Sequence, residues 1–271
     1  MEKKKLKVFM SIDIEGINGI VNWDETEYGD PRYEQFRAEL QEEVKAACEG
    51  AIAGGATEIV IKDAHDSARN LRINDLPECC SLLRGWVGCP CSMMAGLDES
   101  FDAVMFVGYH SPSRSNGNSL SHTMNSSRLY ELKINNVQAS EFTINSLYAS
   151  YLNVPVAFLA GDENLTKLVK EVNPNIVTVA SKTGVHGAVL SKNPKVTHRE
   201  IFEGAKESLL KLSKDNLVPM PNKFNVKASF KYHNIAYNGS FFPGCKLIDT
   251  DTIEFNSKNY YDVLVMLKFT L

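Results

Sequence analysis

Leu6-Lys7-Val8-Phe9-Met10-Ser11-Ile12-Asp13-Ile14-Glu15-Gly16 is the stretch whose reading decides the fold. A near-continuous apolar run over residues 6–14, ending in an acidic turn, reads as a strand buried on both faces, the kind found in parallel sheets. Outward from it, Phe36, Leu40, Val44, Ala47, Cys48 and Ala51 recur at helical spacing. Asp30 is the expected N-cap of that helix, Pro31 its first position and Gly54-Gly55 its stop. Residues 58–62 read as the next strand and residues 103–108 as a third of the same buried kind. Residues 129–137 read as a hairpin turning at Asn135-Asn136, residues 142–152 as a helix and residues 154–160 as a further buried strand. Strand-helix alternation of this sort predicts an α/β fold, a mostly parallel sheet flanked by helices on both faces.

The later sequence has a different texture. Residues 177–181 read as a strand. Thr197 with Glu200 three residues on has the form of a capping box, opening a helix through Ile201, Phe202, Ala205, Leu209 and Leu212. Pro219-Met220-Pro221-Asn222 marks a turn or linker. Residues 224–232 and 252–255 alternate like half-buried strands, and residues 260–267 close as a helix. The expected division is an α/β metal-binding catalytic domain over residues 1–170 and a smaller C-terminal α+β domain over residues 171–271.

With 271 residues, 44% hydrophobic and 23% charged, the chain has the profile of a globular protein with a substantial core. A formal net charge of -4 and no block of Lys and Arg interleaved with aromatics argue against nucleic acid as a partner. The basic start, Met1 to Lys7, is followed by an apolar stretch that is short and broken by Asp13, so it does not read as a secretory signal. No run approaches the length of a membrane span, and the expectation is a cytoplasmic protein with no membrane partner. The six cysteines suit that compartment as free thiols. Cys89-Pro90-Cys91 lacks a second CxxC or a nearby His and does not read as a metal site.

Ligands bind open α/β sheets outside the carboxyl ends of the strands. Here those ends are loaded: strand one runs into Asp13-Ile14-Glu15, strand two into Asp63-Ala64-His65, and strand three into Gly108-Tyr109-His110. Asp13 and Glu15, two apart on extended chain, point the same way. Buried together and unpaired, one of them would take up a proton. A divalent cation removes that conflict, and two imidazoles complete a mixed N/O set that suits zinc better than magnesium or calcium. Ligand type alone also admits manganese, cobalt or iron. Each residue by itself is better explained as a cap or a packed histidine; their coincidence at one sheet edge is what points to a metal.

These segments, together with Leu120-Ser121-His122-Thr123-Met124, Ala139-Ser140-Glu141 and Ala160-Gly161-Asp162, resemble the zinc-dependent D-aminopeptidases, metallopeptidases akin to a protein of a bacterial dipeptide-transport operon. The resemblance runs over nearly the whole chain in conserved order and spacing of the motifs. It implies two zinc ions per subunit bridged by Asp13, with Glu15 a terminal ligand, His65 on one metal, His110 on the other, and Glu141 completing the set. Glu141 by itself would be read as a first-turn carboxylate answering the helix dipole. The resemblance makes His122 the catalytic histidine, in a Ser-, Asn- and Gly-rich loop from Ser111 to Ser121. It also implies short peptide substrates and a homo-oligomer, in the relative a decameric ring with its active sites facing an internal chamber. In Lys182-Thr183-Gly184-Val185-His186 the lysine fits the family pattern, whereas His186 departs from it where the family carries an arginine.

The expected chemistry is release of an N-terminal, D-configured residue by a metal-activated water, with His122 as general acid or base, or as a donor to the oxyanion. Asp63 is a candidate for orienting a ligand imidazole. Two other readings compete: a binuclear hydrolase of another amide or ester bond, and a peptide- or metal-binding protein without turnover. The first is disfavoured for phosphate esters by the lack of a glycine-rich phosphate loop or an Arg/Lys clamp, the second by His122 beside a full ligand set.

Overall fold

The computed structural model describes residues 5–271; the first part of the basic start, residues 1–4, lies outside them. In chain order the strands are β1 (Leu6–Ile12), β2 (Ala56–Asp63), β3 (Cys80–Leu83), β4 (Ala103–Tyr109), β5 (Leu129–Ile134), β6 (Val137–Gln138), β7 (Val156–Asp162), β8 (Val177–Val185), β9 (Ala188–Ser191), β10 (Phe224–Phe230), β11 (Cys245–Asp249) and β12 (Thr252–Ser257). The α-helices are α1 (Tyr33–Ala53), α2 (Glu141–Tyr151), α3 (Glu163–Val172), α4 (Pro194–Leu210), α5 (His233–Gly239) and α6 (Tyr260–Thr270). The larger sheet runs β3-β2-β1-β4-β7-β8-β9, parallel except where β9 returns against β8. A second, antiparallel sheet runs β11-β12-β10-β5-β6.

Alternation along β1 explains how the sheet is covered. Val8, Met10 and Ile12 pack on the side of α1 and α4, whereas Phe9 faces the core shared with α2, α6 and the second sheet. With both faces covered, every residue of β4 and β7 is buried, which is why these segments read as unbroken apolar runs. The Asn135-Asn136 turn lies where expected, both residues at positive φ as a two-residue hairpin requires.

Several local expectations are corrected. Helix α1 opens at Tyr33, two residues after Pro31; Asp30 instead closes a turn, its Oδ1 accepting from Arg32 N at 2.9 Å. Helix α4 opens at Pro194 behind Asn193, whose side chain caps Lys195 N, so Thr197 lies inside the helix and forms no capping box. An Asn N-cap followed by Pro at the first position is a stronger start than a box one turn later. Cys89 and Cys91 are joined by a disulfide rather than free; Cys48, Cys79, Cys80 and Cys245 remain thiols. Strands β3, β9 and β11 and helices α3 and α5 lacked a sequence reading. Residue 170 falls inside α3; β5 and β6 precede it yet join the second sheet, and β8, β9 and α4 follow it yet belong to the larger one. Among the described residues no helix is long and apolar enough to cross a membrane.

Candidate metal centre

Strands β1, β2 and β4 are adjacent and parallel, so their carboxyl ends emerge side by side. This brings Asp13 and Glu15 beside His65 and His110. The β1 loop tucks hard against the end of β4: Asp13 N donates to Val107 O and Gly16 N to Gly108 O. A Cβ on Gly16 would lie 1.8 Å from Tyr109 O, and one on Gly108, at φ +76°, would lie 2.1 Å from Asp13 O. Only glycine permits that approach. Glu141 arrives from the first turn of α2, which Ser140 caps.

Asp13 sits at the middle. Its Oδ1 is 3.3 Å from His65 Nδ1 and its Oδ2 3.5 Å from His110 Nε2. Glu15 Oε2 is 3.1 Å from His65 Nδ1, and Glu141 Oε1 is 3.5 Å from His110 Nε2. His122 Nε2 stands 3.8 Å from Glu15 Oε1 and 3.7 Å from Glu141 Oε1, and its ring stacks on His110 with centroids 4.3 Å apart.

The far nitrogens of the three rings fix what the near ones can do. His65 Nε2 lies 2.9 Å from Thr26 O, His110 Nδ1 2.9 Å from Ser111 O, and His122 Nδ1 2.9 Å from Leu120 O. A carbonyl only accepts, so each of those nitrogens carries the proton. Each neutral imidazole then turns a bare lone pair toward carboxylate oxygens. Asp13 Oδ2, Glu15 Oε2 and His110 Nε2 are buried with no hydrogen-bond partner among the described residues. Lone pair facing lone pair in a buried site is stable only with a proton or a metal ion between them.

Where no metal ion is bound, protons take up that role on the rings of His65 and His110. Burial, then the charges of Glu15 and Glu141, hold the Asp13 carboxyl well above its usual range. Burial would lower His110, but Glu141, Glu15 and Asp13 overcome it and push the ring up to about 10. His65 is raised against its burial by Glu15 and Asp13. His122 is held low by burial and by His110, so it is a neutral base at neutral pH. The residues fit two divalent ions: Asp13, Glu15 and His65 form one ligand group and Asp13, His110 and Glu141 another, with Asp13 common to both. A third grouping, Glu15, His110 and His122, borrows two members from those groups. Its His122 contacts are the longest of the set.

The site is braced by residues with no metal contact. Asp63 does not touch an imidazole, contrary to expectation. It accepts from Asn70 N, Asn70 Nδ2 and Leu71 N, and Asn70 Nδ2 also lies 2.9 Å from His65 O, so Asp63 holds the loop rather than the ring. Asp162 accepts from Ser111 N, Ser111 Oγ and Asn118 Nδ2 while capping α3, and so pins the start of the His122 loop. Lys182 Nζ donates to Glu15 O and Ile20 O at 2.6 Å each. His186 lies in the exposed β8–β9 turn, outside the cavity lining. That cavity, about 500 Å³, is walled by the centre, by Met124 of the His122 motif, and by Trp23, Thr26, Trp86 and Asn125, which no sequence signal marked.

Relatives share this architecture. The family model of the D-aminopeptidases, peptidase family M55, matches residues 6–269. A D-aminopeptidase of Bacillus subtilis (strain 168) is 30% identical over 277 residues, covering 98% of each chain. The solved structure of DppA from Bacillus subtilis, described as a zinc-dependent D-aminopeptidase and a self-compartmentalizing protease, superposes with a TM-score of 0.89 at 29% identity. It covers 98% of this chain and 96% of its own. With the family model matching residues 6–269 and a relative matched over 98% of each chain, this chain belongs to the D-aminopeptidase family, peptidase family M55.

Proposed function

We propose that the chain is a zinc-dependent aminopeptidase that releases N-terminal D-amino acids from short peptides. Asp13, Glu15 and His65 would hold one zinc and Asp13, His110 and Glu141 the other, with Asp13 common to both groups. The observation that carries this is the set of imidazoles pinned to backbone carbonyls through their far nitrogens, presenting lone pairs to buried carboxylates. A zinc ion held there would supply Lewis acidity and lower the pKa of a coordinated water.

The chain's own residues do the rest. His122, neutral and with Nδ1 committed to Leu120 O, has only Nε2 free, facing the Glu15 and Glu141 carboxylates. In that tautomer it accepts a proton before it can donate one, so it acts first as general base and then returns the proton to the leaving amine. Trp23, edge-on to His122 with centroids 5.2 Å apart, limits the ring's solvent contact and its rotation. Met124 N, donating to Glu141 Oε1 at 2.7 Å, couples the His122 loop to a ligand, so the catalytic and ligand residues are placed together.

The relative's self-compartmentalization supports a homo-oligomer here, with a decameric ring as the specific form proposed. Phe241, just past α5, and Phe269 on α6, each about 70% exposed, are surfaces such an assembly would cover. Sedimentation of the purified protein distinguishes a ring from a monomer. A cytoplasmic location remains the proposal: four of the six cysteines are thiols, while the Cys89–Cys91 disulfide is a feature more usual in oxidising compartments.

The deciding assay is hydrolysis of paired D- and L-alanine dipeptides after chelation and zinc repletion, with His122→Ala alongside. Zinc-restored cleavage of the D series, lost in the variant, is expected. Metal-loaded protein that cleaves neither series would move the activity to another bond.

A further inference from the structure

A second cavity of about 280 Å³ opens beside the metal cavity, and Trp86, Met124 and Asn125 line both. Its outer wall is one face of α6, where Leu264, Leu267 and Lys268, with Leu271 just beyond, fall at helical spacing. Ile144 of α2 and the Cys89–Cys91 loop close the sides. The polar groups within are mostly committed: Asn145 Nδ2 donates to Tyr109 OH, and Asn125 Oδ1 accepts from Ser127 and Arg128. Lys268 is exposed at the rim and makes no salt bridge with any described residue. On the metal cavity the unassigned charges are of opposite sign, the exposed carboxylates of Glu27 and Asp66.

That distribution has a direction. A short peptide carries an ammonium at one end and a carboxylate at the other. Laid across both cavities, its ammonium is attracted by Glu27 and Asp66 and repelled by Lys268, and its carboxylate the reverse. We infer that the second cavity is the subsite for the residue released behind the scissile bond, taking an apolar side chain with its free carboxylate held at Lys268. The inference rests on the peptidase reading and narrows it to dipeptides whose second residue is apolar.

The test compares D-alanine amide, D-Ala-D-Ala, D-Ala-D-Leu and D-Ala-D-Leu amide, in the zinc-loaded wild type and in Lys268→Gln, an exposed change that leaves the fold alone. Each methylene buried in the second cavity raises kcat/KM by up to about fourfold, so D-Ala-D-Leu should exceed D-Ala-D-Ala by about tenfold or more. Lys268→Gln should raise KM for the free-acid dipeptides about three- to tenfold, with kcat held within about twofold. It should leave both amides unchanged. D-Leucine, the released product, should quench tryptophan fluorescence through Trp86 more strongly than D-alanine, and Lys268→Gln should weaken that binding. Cleavage of D-alanine amide without preference for leucine, or equal effects of the variant on acids and amides, overturns the subsite and leaves the peptidase standing. No cleavage of any substrate overturns the peptidase reading. D-Leucine binding that still depends on Lys268 would then uphold an apolar amino-acid site serving another reaction, and its absence would remove the site as well.

Discussion

Replacing Lys182 by methionine should leave the protein folded while stripping it of much of its zinc affinity. Lys182 is 1% exposed, and its ammonium clamps the β1 loop by donating to the carbonyls of Glu15 and Ile20. Burial pulls its amine from 10.5 to about 8. Holding it charged at neutral pH therefore costs roughly 3 kcal/mol, at about 1.4 kcal/mol per pH unit. The two charge-assisted hydrogen bonds contribute about 1.5–3 kcal/mol each. The opposing effects nearly cancel, and a methionine of similar length fills the space, so the net loss of stability should be about 0–3 kcal/mol. The loop is another matter. Glu15 O keeps only Asn118 Nδ2, and the carboxylate of the same residue loses its fixed approach to the centre. Loss of a group that orients a ligand typically weakens metal binding by about 10–100-fold. Urea unfolding of the metal-free proteins reads the first quantity, and zinc competition against a chromogenic chelator reads the second. A variant that binds zinc as tightly as the wild type would refute the reasoning, as would one destabilised well beyond about 3 kcal/mol.

His122→Ala should keep its full zinc content, measured by elemental analysis, while kcat falls by about 10²–10⁴-fold. Chelation should lower the melting temperature by about 5–15 °C, since each site at a hundredfold excess over its dissociation constant contributes about 2.7 kcal/mol; differential scanning fluorimetry with and without zinc repletion reads this. Glu43 is on the buried face of α1, its Oε1 accepting from Asn18 N and its Oε2 unpartnered, and burial pushes its carboxyl from 4.5 up to about 8. A raised folded pKa means the contribution is complete below about pH 4.5 and is lost as pH rises through about 8. Between about pH 5 and pH 9 the wild type should therefore lose on the order of 2–4 kcal/mol that Glu43→Gln keeps, read as the difference in urea midpoints.

The strand ends were legible because chemistry there interrupts a strong pattern. Asp13, His65 and His110 each follow a buried apolar run, and parallel pairing of β1 with β2 and β4 makes those ends neighbours. Glu141 was different: in sequence it is a helix first-turn carboxylate, and only the hairpin before α2 carries it across to His110. Asp63 shows the opposite failure, since spacing put it near His65 but its oxygens were taken by the backbone of residues 70 and 71. The crossing of β5 and β6 into the second sheet was invisible because antiparallel pairing with β10, ninety residues on, leaves no local mark. Trp23 and Trp86 belong to irregular segments whose positions depend on tertiary contacts alone.

The most direct test of the two-metal centre is anomalous scattering from crystals of the zinc-loaded protein, with elemental analysis of the same batch. Two zinc sites per chain are expected, both touching Asp13, one also touching Glu15 and His65 and the other His110 and Glu141. A single zinc per chain, or a second one held away from Asp13, would contradict the assignment.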